Sequence, residues 1–86
     1  LTGAGATEEV RQQIAAAAQE TPGVQAAHHL MAEYVGPQLV VDLHINVDTN
    51  LPLKHTHAIE DAVVARLEAI PEVDRAYVHI EPLGWH

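Results

Sequence analysis

The sequence has no cysteine, no phenylalanine and no serine among its 86 residues. Without cysteine there are no disulfides, no thiolate metal sites and no thiol catalysis. Without serine the commonest hydroxyl nucleophile is missing as well. Aromatic residues are only 3% of the chain, although hydrophobic residues make up 48%. A core must therefore be built from valine, isoleucine, leucine and alanine. Positive charge is scarce: 4 Lys+Arg stand against 12 Asp+Glu, for a net charge of -8. That balance argues against nucleic acid and anionic lipid as partners and suits cations. No apolar run approaches the roughly 18 residues of a spanning helix, and no signal peptide is visible. The only methionine is Met31, so the chain is expected to start inside a longer protein or after processing.

What the chain has in abundance is histidine, 7 in all. Imidazole is the one side chain whose ordinary pKa, about 6.5, lies near neutrality, and it is a common metal ligand. The length sets a second condition. A domain this small buries only roughly 60% of its unfolded surface, so dimerisation or a metal would help it.

Residues 1–6 are small and glycine-bearing, a flexible lead-in. Thr7 is placed to cap a helix, with Glu8 and Glu9 in its positive first turn. Val10, Ile14 and Ala17 or Ala18 recur at helical spacing up to about Glu20, and Thr21-Pro22-Gly23 stops the helix. A first strand runs from Val24 or Ala27 to Val35. Gly36-Pro37 then marks a turn, expected as part of a hairpin loop longer than two residues.

The segment from Leu39 to Asp48 alternates most clearly. Val41, Leu43, Ile45 and Val47 share one side; Asp42, His44, Asn46 and Asp48 share the other. A second helix follows over about Leu53 to Ile70, with Ile59, Val63, Leu67 and Ile70 on one stripe. The last strand, Arg75 to Glu81, puts Ala76, Val78 and Ile80 on an apolar side. Tyr77, His79 and Glu81 face the opposite way, and Pro82 ends the ladder. Residues 83–86 form a tail without periodicity, in which Trp85 and His86 either stay loose or fold back.

The order α-β-β-α-β predicts an α+β domain. A right-handed β-α-β crossover makes the second and third strands parallel. Two helices cover the apolar face of a three-stranded mixed sheet, and the polar face stays bare. His44 and His79 then lie on neighbouring strands about 4.8 Å apart and face the same way, with Glu81 beside them. His28 opens the first strand and His57 lies early in the second helix. Neutral imidazoles and carboxylates suit zinc and accept iron, cobalt, nickel or manganese. Their spacing forms no compact motif such as HExxH. His55 is expected to be a plain surface residue.

The combination Gly23-Val24, His28, Leu30, Gly36-Pro37, Val41-Asp42-Leu43-His44-Ile45, Leu51-Pro52-Leu53, His57 and Val78-His79-Ile80-Glu81-Pro82 is distinctive. It resembles the cytoplasmic C-terminal domain of the cation diffusion facilitator transporters, over about Thr7 to Pro82. The resemblance implies a ferredoxin-like, metallochaperone-like αββαβ domain, here residues 7–82, that forms a homodimer below a membrane domain. That membrane domain would exchange a divalent cation for protons, and metal at the dimer interface would draw the two copies together. By position, the family's metal ligands fall on His28, His44, His57, His79 and Glu81. Where relatives often have an acidic residue after the first histidine, this chain has His29, a departure that would change metal preference or add a spare ligand, with Asp42 on the His44 face as a second spare. The implied role is regulatory and not enzymatic, with zinc as the default ion. Two other roles are compatible with the residues: a metal-independent dimerisation module, or a soluble metal carrier.

Overall fold

The computed structural model describes residues 5–82. Five elements follow in the order α1 (Glu8–Gln19), β1 (Ala26–Val35), β2 (Gln38–Val47), α2 (Leu53–Glu68) and β3 (Val73–Pro82). The sheet order is β1-β2-β3. β1 runs antiparallel to β2, and β3 runs parallel to it, the direction a crossover through α2 gives.

Local chemistry explains the element ends. The Thr7 hydroxyl accepts from the Val10 amide at 3.2 Å and caps α1. The β1–β2 connection corrects the sequence expectation. Val35 pairs with Gln38, so the loop is just Gly36-Pro37. Gly36 takes φ 63°, and proline beside it is confined to negative φ. A positive angle followed by a negative one is the primed two-residue turn whose twist matches a hairpin. Gly23, after α1, has φ 94°, and a Cβ there would sit 2.6 Å from Ile59 Cδ1. Only glycine lets that corner close over α2.

The core is aliphatic throughout. Ile14 and Ala18 of α1 meet Ile59, Val63 and Leu67 of α2 over Val41, Leu43, Ile45 and Val47 of β2. Ala76 and Val78 of β3 and Ala32 of β1 complete the same layer. Both helices thus pack on one face, as the alternation in β2 and β3 predicts. Gly5 and Ala6, read from the sequence as lead-in, lie along β1: Gly5 bridges Glu33, and the Ala6 amide donates to Ala32 at 2.9 Å. Trp85 and His86, considered above as a cover for the site, lie outside the described residues.

Asn46 departs from its expected place on a bare polar face. It is buried, and its side-chain amide donates to the Pro82 carbonyl at 3.0 Å. A buried amide needs such partners, so this side chain ties the ends of β2 and β3 together.

Candidate metal centre

The open face of the sheet is organised by one irregularity. His28 pairs with His44, but the next register pair is Met31 with Asp42, so β1 carries an extra residue. His29 occupies that place at φ 53°, the left-handed region that histidine visits more readily than most side chains. A bulge of this kind resets the alternation. Ala27 faces the core before it; Leu30, Ala32 and Tyr34 face the core after it. In a regular strand His28 and His29 would point to opposite faces. Here both rings sit on the open face, with centroids 5.8 and 5.3 Å from that of His44. Arg11 of α1 braces the bulge by donating to the Leu30 carbonyl at 3.2 Å.

β2 and β3 supply the rest. His44 and His79 occupy paired positions on β2 and β3, and their rings stack at 4.7 Å. Glu81 reaches between His44 and His28. Its Oε2 lies 3.0 Å from His44 Nδ1, and its Oε1 lies 3.2 Å from His28 Nε2. On the other side of His44, Asp42 Oδ2 lies 3.0 Å from His79 Nε2, and Oδ1 lies 3.9 Å from His44 Nε2. The result is a row of alternating imidazoles and carboxylates. His28 and His29 also touch, Nδ1 to Nδ1, at 2.6 Å.

The row fits a divalent ion on two counts. Asp42, His44 and His79 each offer one ligand atom, and these atoms all lie within 4.8 Å of one another. Tetrahedral zinc, with bonds of about 2.0–2.1 Å, separates its ligand atoms by about 3.3 Å, so small side-chain shifts suffice. In addition, His28 Nε2 and Glu81 Oε1 are buried atoms that form no hydrogen bond of acceptable geometry. Unsatisfied buried donors and acceptors are what an ion or an ordered water relieves.

A family model described as the cytoplasmic domain of cation efflux proteins matches residues 6–83. The chain belongs to the cation efflux family. Relatives agree. An uncharacterized transporter of Methanocaldococcus jannaschii, MJ0449, is 40% identical over 81 residues, covering 94% of this chain and 29% of that protein. The cation-efflux pump FieF of Shewanella oneidensis is 32% identical over 76 residues, covering 88% of this chain and 26% of the pump. The chain therefore spans less than a third of the length of these relatives. Among solved structures, a nickel form of a MamM CTD variant superposes with TM-score 0.83 at 32% identity, covering 88% of this chain and 98% of that one.

Within this cation efflux domain the predicted ligands divide. His28, His44, His79 and Glu81 meet on the open face. His57 does not join them in one chain; it is exposed on α2, with Nδ1 3.4 Å from Glu60 Oε1 one turn on. His29 and Asp42 do join. Asp42 was legible as a same-face neighbour of His44, two residues away. No sequence signal pointed to the bulge that brings His29 onto the open face.

The Glu81 carboxyl is held below the usual carboxylate range, first by the hydrogen bond from His44 and then by the positive charge of nearby imidazoles, against the opposing effect of burial. A carboxylate whose folded pKa is depressed adds stability above its unfolded value. That stability disappears as pH falls through the lower folded value. In metal-free unfolding by urea, the parent should thus lose stability relative to Glu81→Gln as pH falls from about 6 to about 3. A difference between the two that stays constant over that range would contradict the assignment.

Proposed function

We infer that the chain is a metal-sensing dimerisation domain of a cation efflux transporter. It would bind divalent ions, zinc first among them, through the imidazoles and carboxylates of its open face. The observation that carries this reading is the grouping of His44, His79 and Asp42 beside His28 and Glu81 on an uncovered sheet face. Among the named ligands, His28, His44, His79 and Glu81 act within one copy. His57, placed apart on α2, would serve only when a second copy or a closed dimer brings ligands together.

The same face argues for a partner. Met31, Val35 and Tyr77 are large apolar side chains left at least half exposed. Together with Glu33, Val40 and Asp42, Met31 and Val35 line a shallow hollow next to the histidines. A three-stranded sheet with such a face is stabilised when a second copy covers it. An ion held near that contact replaces repulsion between two chains of net charge -8 with attraction. In the whole protein, closure of the dimer would favour the membrane-domain state that exports the ion against protons.

Ligand linkage sets the size of the effect. At a hundredfold excess over Kd, zinc stabilises the folded form by about 2.7 kcal/mol. For a domain this small that raises Tm by roughly 10 °C or more. Thermal melts of the chain with and without zinc, reversed by a chelator, test the reading. An unchanged Tm at saturating zinc would leave a metal-independent dimerisation module as the better account.

A further inference from the structure

We propose that the bulge in β1 is coupled to the point where the chain enters the domain, so that an event on the open face reaches the segment ahead of α1 through a change in strand pairing. The coupling is internal to this chain. That the entering segment leads to a membrane domain rests on the function proposed above.

The entry is held by two bonds to one strand edge. The Ala6 amide donates to the Ala32 carbonyl at 2.9 Å, and Gly5 bridges Glu33 in the antiparallel sense. The Arg11 guanidinium donates to the Leu30 carbonyl at 3.2 Å. Leu30 and Ala32 are two residues apart, so both carbonyls leave β1 on the side away from β2. Gly5 and Ala6 lie along that edge as the start of a fourth strand, and Ala6 also packs against the aliphatic core. No slack separates this seat from the helix. Thr7, the next residue, caps α1 at Val10, and Ile14 and Ala18 fix α1 to the core.

The bulge decides where that seat is. Backbone groups of a strand alternate between the partner and the free edge, as side chains alternate between faces. The extra residue between His28 and Met31 advances both alternations by one. Without it the Leu30 and Ala32 carbonyls would turn toward β2, and neither Arg11 nor Ala6 could reach them from the edge. The bulge in turn depends on His29 at φ 53°, a conformation that costs any side chain with a Cβ. The rings of His28 and His29 stand on the open face beside His44. Whatever grips or releases those rings, an ion or a second copy, acts on the residue that sets the edge. By reciprocity, whatever pulls the entering segment from the edge acts on the bulge.

Hydrogen exchange at single amides tests the coupling without metal, on the chain carrying His29→Gly or His29→Ala. Both variants lack the imidazole, so they differ chiefly in what positive φ costs: glycine takes it freely and alanine does not. The amide of Leu43, buried in β2, opens with the whole fold and records the cost to global stability. Leu43 should exchange about fivefold or more faster in His29→Ala than in His29→Gly. The Ala6 amide should accelerate by a similar factor, because the seat opens only as the bulge relaxes. An Ala6 rate equal in the two variants, with Leu43 accelerated, means that the entry frays over an intact bulge and overturns the proposal. Equal rates at both amides show that positive φ is not what holds the bulge, and overturn it as well. So does an Ala6 amide that exchanges in the parent as fast as in an unfolded peptide. Zinc plays no part in these comparisons, so a chain that fails to bind zinc counts against the proposed function alone.

Discussion

Replacing His44 by alanine should lower the zinc affinity of the chain by roughly tenfold to a hundredfold, and His79→Ala should do the same. Both imidazoles lie mid-strand on the sheet, stacked at 4.7 Å, where backbone pairing fixes their spacing. Removing either reduces the group of Asp42, His44 and His79 to a carboxylate and one ring, too few for a stable tetrahedral site without further ligands. His55→Ala is the control. His55 is exposed near the start of α2 and belongs to no grouping of ligand atoms among the described residues. Its loss should leave affinity unchanged. Protons should imitate the mutation, because imidazole binds metal only when neutral. Affinity of the parent should therefore fall as pH is lowered. Calorimetry that gives the parent, His44→Ala and His79→Ala one affinity at pH 7.5 would refute the site.

Leu43→Ala should have the largest effect on the fold. Leu43 is 1% exposed at the centre of β2, with its side chain between the sheet and both helices. Truncating such a leucine costs about 2–5 kcal/mol, from lost burial and the cavity left behind. A domain of this length has roughly 4–13 kcal/mol of stability in all. The variant should show a large drop in the urea midpoint with little change in slope. Because Leu43 faces away from its neighbour His44, the fraction still folded should bind zinc as the parent does. A fall in affinity of the folded fraction equal to that of His44→Ala would show that the two faces are not separable.

The contrast between those residues shows what could be read from the sequence. In β2 one alternating run assigns Val41, Leu43, Ile45 and Val47 to the core and Asp42 and His44 to the open face, and that assignment holds. The helices were equally legible, because Thr7 and the stripe of Ile59, Val63 and Leu67 are local signals. β1 was harder. Its phase changes at His29, and a bulge depends on pairing with β2 and on the brace from Arg11, both distant in sequence. The hairpin loop was misjudged for a related reason: Gly36-Pro37 alone does not say where pairing resumes. Asn46 looked like a surface residue because the partner that buries it, the Pro82 carbonyl, belongs to another strand. For the carboxylates, spacing put Asp42 and Glu81 near the histidines but not which nitrogen each would face. That needed the parallel register of β2 and β3.

Under the proposed function, a divalent ion bound on the open face changes the shape of the dimer. The absence of native cysteine makes one measurement direct. A single label site on exposed α2, such as Asp61→Cys, reports one inter-subunit distance distribution by electron spin resonance. At pH 7.5, zinc should shorten and narrow that distribution, and a chelator should restore it. At lower pH the same zinc should have a smaller effect, because protons compete with the ion for imidazole nitrogen. Tight zinc binding at pH 7.5 with an unchanged distribution would contradict the account, and would leave the histidines a metal store without a switch.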